Sequence, residues 1–158
     1  MDNNIKIIKV EEEGLKKEIS RSILDKLPKW FGIEEAKKEY IEESSNMNFF
    51  AAYHDEDLVG FVAIKINSTY TAEIYVMGID EEYHRRGIGR RLFNEVYNWC
   101  KLNRFEFLQV KTLDEENKDK NYAKTREFYK SLGFKTLEVF KTLWDENNPC
   151  LVMVMSVK

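Results

Sequence analysis

Two glycines and four arginines lie close together in the stretch "YHRRGIGRR", residues 83–91. Gly87 and Gly89 leave the backbone bare at two positions, and four of the seven arginines fall within residues 85–91. An apolar helical pattern begins directly behind them. Unpaired N–H groups and the positive dipole end of a helix N-terminus bind phosphates, and arginines neutralise them. The stretch therefore predicts an anion site; the alternative is a plain loop followed by a solvated helix face.

The two common phosphate motifs do not fit this stretch. A dinucleotide-binding fingerprint needs a third glycine, and Leu92 stands at that position. A nucleotide-triphosphate loop ends in Gly-Lys-Ser/Thr, whereas this stretch ends in "GRR" and lacks both the lysine and the hydroxyl. The glycine pair must therefore serve a different phosphate ligand.

Alternating strand and helix patterns surround the glycine stretch. The pattern predicts an α/β fold, with a mixed β-sheet of about seven strands flanked by about four helices, and it places the glycines at a strand-to-helix junction. The predicted strands are 5–10, 49–53, 58–66, 71–79, 107–113, 134–140 and 151–157, and the predicted helices are 15–27, 33–44, 89–103 and 122–132.

Length and composition predict a single globular domain over residues 1–158. Apolar residues make up 43% of the chain and aromatic residues 13%, which is typical of a chain with a packed core. No apolar run approaches the roughly 20 residues that a membrane span needs, and the N-terminus does not resemble a signal peptide. The presence of two cysteines argues against a disulfide framework, and no cysteine–histidine spacing suggests a metal site. We expect a cytoplasmic protein without a bound metal.

The charge balance argues against a nucleic-acid partner. The chain carries 25 basic and 28 acidic residues, a net charge of −3. Dedicated nucleic-acid binders usually have a strong positive balance, so a nucleic-acid-binding module that uses "HRRGIGRR" is the weaker alternative. The local basic cluster is better suited to a small anionic ligand.

Two stretches resemble motifs of the GNAT family of N-acetyltransferases. "HRRGIG", residues 84–89, is similar to the acyl-CoA motif Gln/Arg-x-x-Gly-x-Gly/Ala, although His84 stands where glutamine or arginine is usual. "TREFYKSLGF", residues 125–134, resembles the second motif, in which an aromatic-tyrosine pair precedes Gly-Phe. Both motifs occur in the family's order, and the resemblance covers essentially the full chain. It implies a GNAT-like fold with a splayed central strand pair, and acetyl-CoA as co-substrate.

The resemblance also implies which residues bind the co-substrate. In the family the pantetheine arm lies between two splayed strands and the pyrophosphate lies on the glycine turn. The arginines could neutralise the phosphates. Carried onto this sequence, the implied acetyl-CoA contacts are Met77, Gly78, Ile79, His84, Arg85, Arg86, Gly87, Ile88, Gly89, Arg90 and Arg91.

Two side chains are candidates for the chemistry. Glu73 stands in an "AEI" setting similar to that of a catalytic glutamate in family members, which implies a base that accepts the proton of the attacking amine. Tyr129 matches the tyrosine of the second motif, which implies an acid that protonates the departing thiolate. The alternatives are a surface carboxylate at a strand end for Glu73 and a core aromatic for Tyr129. The asparagine that usually precedes the tyrosine by seven residues is replaced by Tyr122.

Aromatic and acidic residues occupy the two loops that wall the acceptor site in the family. Trp30, Phe31 and Trp144 are the predicted substrate-binding residues. Aromatic faces next to carboxylates suit a cationic amine; the alternative is that the tryptophans close the edge of the core. The acidic residues of these loops are Glu34, Glu35, Asp145 and Glu146.

The residues and the resemblance together predict an acyltransferase. We expect direct transfer of an acetyl group from acetyl-CoA to a primary amine, with a small cationic molecule as the acceptor. Two alternatives stay open: a non-catalytic acyl-CoA-binding module, and an acetyltransferase that acts on protein or peptide amines. The sequence also leaves a homodimer open.

Overall fold

The computed structural model describes residues 4–158. Strands and helices alternate in the predicted order, with one short 3-10 helix before the glycine turn. The strands are β1 (Ile5–Lys9), β2 (Asn48–His54), β3 (Asp57–Ile66), β4 (Thr71–Ile79), β5 (Phe107–Leu113), β6 (Lys135–Asp145) and β7 (Asn148–Ser156). The helices are α1 (Glu13–Asp25), α2 (Glu34–Ser44), α3 (Ile88–Leu102) and α4 (Lys120–Leu132), and the 3-10 helix is Glu81–Tyr83.

The seven strands of the described residues form one mixed sheet in the order β1-β2-β3-β4-β5-β7-β6. This architecture confirms the predicted fold class; the splayed strand pair and the single domain over residues 1–158 stay predictions. By packing, the chain divides into two compact units. The first holds the residues up to Lys65 together with Ile74–Trp99, and the second holds Ile66–Glu73 and Cys100–Lys158.

The first unit has its core between the helices α1 and α2 and the strands β2 to β4. Ile19, Ile23 and Leu27 recur at helical spacing in and after α1, and all three are buried. On the strands, Phe49 and Phe61 stack with ring centroids 5.2 Å apart. Burial of one face of each helix on this sheet fixes where β4 and the following turn lie.

The second unit is built on three antiparallel strands. β7 pairs with β5 on one side and with β6 on the other, and its middle residues are buried. Helix α4 contacts β5, and its C-cap is Gly133, which adopts a left-handed conformation with φ of 109°. By contrast, β6 is the edge strand and almost all of its residues are exposed.

Most element bounds differ from the sequence predictions by a few residues at most, and the end of β6 differs more. Helix α3 begins at Ile88, one residue before the predicted start, and α4 begins at Lys120 rather than at residue 122. Strand β6 runs to Asp145, whereas the sequence predicted its end at residue 140 and a loop over 141–150. Residues 141–145 lie in this strand, next to a shift in register against β7. None of the described helices is both long and apolar enough to cross a membrane.

Candidate active site

The glycine turn has a backbone open to a ligand. Gly87 has φ of 78°, a left-handed conformation that residues with a Cβ rarely adopt. A Cβ added at Gly87 would meet no heavy atom within 4 Å, so the space above this backbone is open. Helix α3 starts immediately afterwards, and the Arg91 N–H donates to the Gly87 carbonyl at 3.1 Å. The turn thus presents the first N–H groups of a helix beside a bare backbone, as the sequence predicted.

Three guanidinium groups surround the turn without a carboxylate partner. Arg85, Arg86 and Arg90 are exposed, and no described carboxylate pairs with them. Arg86 lies over the ring of Tyr83, with Cζ 4.8 Å from the ring centroid. Arg91 differs, because it is half-buried and lines a cleft against Ile5–Ile7 of β1. The positive charge that is accessible to a ligand is therefore that of Arg85, Arg86 and Arg90.

His84 has a local role that the family motif does not indicate. Its Nε2 lies 2.8 Å from the Ile79 carbonyl oxygen, so the tautomer protonated at Nε2 donates to that oxygen. The carbonyl of Ile79 was one of the groups predicted to face the pantetheine arm. The imidazole therefore links the end of β4 to the turn and already uses one of those carbonyl groups.

The loop between α1 and α2 is tied to the residues just before the glycine turn. The Lys29 ammonium lies 2.8 Å from the Glu81 carboxylate, and the Lys26 ammonium lies 3.4 Å from Asp80. The Trp30 ring meets the His84 ring edge-on at 5.6 Å. The structure thus brings Trp30, a predicted acceptor-wall residue, against the predicted acetyl-CoA turn within the first unit.

Phe31 is placed differently from Trp30. It packs edge-on against Tyr40 of α2, with ring centroids 5.6 Å apart, and Tyr40 in turn meets Tyr75 of β4 at 5.4 Å. Both Trp30 and Phe31 are half-buried and pack against the core of the first unit. Trp30 and Phe31 therefore both help to close the edge of this core.

Glu73 is buried and held by two hydrogen-bond donors and one ion pair. Its exposed fraction is 3%, so it is not the surface carboxylate of the alternative interpretation. Asn67 Nδ2 donates to Glu73 Oε1 at 2.8 Å, and Gln109 Nε2 donates to the same oxygen at 3.0 Å. The Lys111 ammonium lies 3.4 Å from that oxygen as well. All four residues belong to the second unit, and the sequence identified none of the three partners.

Tyr129 is buried in α4, one turn before the helix ends. Its ring contacts those of Phe128 and Phe134 with centroids 5.6 Å apart, and its exposed fraction is 7%. The Phe134 N–H donates to the Tyr129 carbonyl at 3.1 Å, closing the turn around Gly133. The chain turns back at Gly133, so that Phe134 contacts both the backbone and the ring of Tyr129. The Gly-Phe pair of the second motif thus holds Tyr129 in place.

Arg126 joins the helix of Tyr129 to strand β5. Its side chain is 8% exposed, and Nη1 donates to the Leu113 carbonyl at 2.7 Å. Arg126 precedes Tyr129 by three residues, so both side chains lie on one face of α4. The sequence analysis missed this contact; the only signal was an arginine at a core position of the helix.

Trp144 lies in a strand rather than a loop, and two of the acidic residues have partners. Trp144 is on strand β6 and 42% exposed, since most of residues 141–150 are strand rather than loop. Asp145 accepts from the Asn147 N–H at 2.9 Å and from Asn148 Nδ2 at 3.0 Å, which holds the β6–β7 turn. Glu34 is paired with Lys37 at 2.8 Å. Two of the four carboxylates proposed to attract a cation therefore already have partners.

The predicted site residues fall into two groups. Met77, Gly78, Ile79, the turn 84–91 and the loop with Trp30 and Phe31 belong to the first unit, whereas Glu73, Tyr129 and Trp144 belong to the second. Within residues 4–158, no group of three His, Cys, Asp or Glu side chains is arranged to hold a metal ion.

Solved structures with the same fold include enzymes with different acceptors. The ribosomal-protein-S18-alanine N-acetyltransferase from Escherichia coli matches with a TM-score of 0.77 and 14% identity, over 98% of this chain and 94% of that one. The aminoglycoside 6′-N-acetyltransferase from Enterococcus faecium matches with a TM-score of 0.74 and 20% identity, over 97% of both chains. A GNAT family acetyltransferase from Elizabethkingia anophelis with acetyl-CoA bound matches with a TM-score of 0.70 and 16% identity, over 98% of this chain and 99% of that one. At these identities the matches show the fold.

A family model gives the relationship directly. Residues 17–134 match the model of the acetyltransferase (GNAT) family. No curated protein sequence matches the chain. Since the family match covers more than half of the chain, and solved acetyltransferases share the fold over nearly its whole length, the chain belongs to the GNAT family of acetyltransferases.

Proposed function

We propose that the chain transfers an acetyl group from acetyl-CoA to a primary amine, with both substrates bound at once. The observation that carries this proposal is the open backbone at Gly87, where φ is 78° and a Cβ would have no heavy atom within 4 Å. A side chain would fill the space that a pyrophosphate needs. A family member with acetyl-CoA bound shares the fold.

The turn offers acetyl-CoA both donors and charge. The backbone N–H groups of residues 85–90 are proposed to bind the pyrophosphate, as at other helix N-termini. Arg85, Arg86 and Arg90 add exposed positive charge that no described carboxylate neutralises. Backbone groups of residues 77–79 are proposed to bind the pantetheine amides, with the Ile79 carbonyl shared with His84.

Glu73 and Tyr129 are proposed to move the two protons of the reaction. An alkylamine with a pKa of about 10.4 is protonated at neutral pH and must lose a proton before it attacks. Glu73 accepts that proton, directly or through a water molecule, and Tyr129 donates one to the departing thiolate. The co-substrate supplies the acetyl thioester. The burial of most of both side chains supports these roles, because packed groups act with a defined orientation.

For the acceptor we propose a small cationic amine. Trp30 stands beside the turn, and an aromatic ring at this position attracts a cation. An aminoglycoside acetyltransferase shares the fold. A protein or peptide amine is the second candidate, because β6 exposes Leu137, Leu143 and Trp144, which suit an apolar peptide. A cytoplasmic location stays a prediction.

The proposal is tested by measuring thiol release from acetyl-CoA over a panel of amino acids, diamines, aminoglycosides and peptides. We expect release that depends on one class of amine. In Tyr129→Phe, which keeps the ring, kcat should fall by about 10²–10⁴-fold while the KM for acetyl-CoA changes little. Tyr122→Phe, on the same helix, is the matched control and should keep the wild-type rate.

Two results would contradict parts of the proposal. Binding of acetyl-CoA without transfer to any amine of the panel would favour the non-catalytic acyl-CoA-binding module. A wild-type rate in Tyr129→Phe with a verified acceptor would remove the acid role from Tyr129 and leave the acetyl-CoA site standing.

A further inference from the structure

The two oxygens of Glu73 have unequal surroundings. The two amide donors and the ammonium described above, from Asn67, Gln109 and Lys111, all lie within 3.4 Å of Oε1. Two of them belong to β5, and the third belongs to the segment between β3 and β4. Three contacts from two chain segments on one oxygen fix the rotation of the carboxylate.

Oε2 has no donor among the described residues. Within residues 4–158, Thr112 Oγ1 is the one side-chain N or O atom that is both fully buried and without a hydrogen-bond partner. Since Oε2 also has no donor but is not such an atom, it keeps some surface that solvent can reach. A carboxylate oxygen has two lone pairs, and those of Oε2 stay available to a donor from outside the chain. The side chain as a whole is nevertheless almost completely buried.

Lys111 supplies the only charge among the three groups that contact Oε1. A buried carboxylate destabilises the fold unless it is paired with a positive charge and hydrogen-bonded, and Lys111 supplies the positive charge. The lysine side chain is 28% exposed and has no other described partner. Cys150, which also lies near the pair, adds no charge, because burial raises the pKa of its thiol to about 11.

We propose that Lys111 is a positioning residue for Glu73. Together with Asn67 and Gln109 it anchors Oε1, so that Oε2 is the oxygen that receives the proton of the acceptor amine. The inference rests on the proposed role of Glu73 as the base. In the step, an amine N–H bond breaks, its proton goes to Oε2, and the nitrogen lone pair becomes available for attack on the thioester.

A double-mutant cycle between Lys111 and Glu73 tests this inference. Lys111→Met removes the charge and keeps most of the side-chain length, and should lower kcat by about 10- to 100-fold through misplacement of the base. The KM for acetyl-CoA should not change. Lys111→Arg should restore most of the rate. In the Glu73→Gln background, Lys111→Met should have no further effect, because the group through which it acts is gone.

Lys130→Met is the matched control. Lys130 lies in the same unit, and its ammonium is 3.5 Å from Glu127 in an exposed pair on α4. Loss of this pair should leave kcat unchanged in both backgrounds. If Lys111→Met lowers kcat equally in the wild type and in Glu73→Gln, or if Lys111→Arg is as slow as Lys111→Met, the positioning role is wrong.

Urea unfolding of the same four proteins of the cycle gives a readout that needs no acceptor. If the contact is real, the changes in the free energy of unfolding are non-additive; additive changes overturn the inference whatever the kinetics show. If unfolding is non-additive but Glu73→Gln keeps the wild-type kcat, the contact stands and the proposed base is wrong. The failure of the inference and that of the proposed function are therefore distinguishable.

Discussion

Gly87 combines a left-handed backbone, which disfavours a side chain, with open space, which a side chain would fill in place of a ligand. We predict that Gly87→Val abolishes binding of CoA while most of the fold is retained, because a branched side chain opposes φ > 0 and occupies the ligand's path. The wild type should gain about 2.7 kcal/mol of stability at a hundredfold excess of CoA over Kd, and the variant should gain none. Thermal unfolding with and without CoA measures both.

Gly14→Val is the control for this variant. Gly14 lies in the first turn of α1, and an added Cβ there would meet only the flexible side chain of Glu12 at 3.5 Å. It should keep the full stabilisation by CoA. If Gly87→Val is stabilised to the same extent as Gly14→Val, the turn is a plain loop and the proposed pyrophosphate contact does not exist.

At this scale the sequence identified individual side chains but not their surroundings. The resemblance of the motifs around Glu73 and Tyr129 to those of the family was enough to propose roles for them. The partners of Glu73 could not be predicted in the same way, since Gln109 lies 36 residues away and reaches Glu73 only because β5 folds beside β4. A contact of this kind depends on strand register, which the pattern of a single strand does not define.

Helix α4 begins with a side-chain cap. The Asp119 carboxylate accepts from the N–H groups of Asn121 at 2.8 Å and Tyr122 at 3.3 Å. We predict that Asp119→Ala lowers the free energy of unfolding by about 1 kcal/mol, because two N–H groups of the first turn lose their acceptor. Asp119→Asn, which keeps an acceptor oxygen, should lose much less. Urea unfolding of the two variants measures the difference; equal losses would show that the cap is not the cause.

The same cap explains one difference between prediction and structure. The apolar pattern of α4 starts late, so the sequence placed its start at residue 122 rather than at Lys120. In β6 the error has another origin. The polar residues after Phe140 read as a loop, but the strand continues to Asp145 next to a shift in register against β7. Long, strongly periodic elements such as α1 and β3 were predicted to within a few residues.

The two cysteines link the stability of the whole molecule to pH. Burial raises the pKa of Cys100 to about 12 and that of Cys150 to about 11. An unfolded thiol has a pKa of about 8.5, so above that pH the unfolded chain loses protons that the folded chain keeps. The free energy of unfolding should therefore fall as pH rises above about 8.5.

Urea unfolding at about pH 7, 8.5 and 10, which lie below, at and above the pKa of an unfolded thiol, measures this decline. Cys100→Ala isolates the contribution of the thiol from that of the lysines, because it removes the group with the larger shift. We expect a shallower alkaline decline in this variant than in the wild type. An identical slope in the two proteins would mean that the Cys100 thiol does not contribute.

The burial of both native thiols has a further consequence for experiments on this protein. A cysteine introduced at Lys118, which is exposed between β5 and α4, would be the one thiol open to maleimide reagents in the folded chain. A fluorophore could then be attached at a single known position without removing either native cysteine. Its emission would report in real time whether the segment before α4 changes its environment when acetyl-CoA is added.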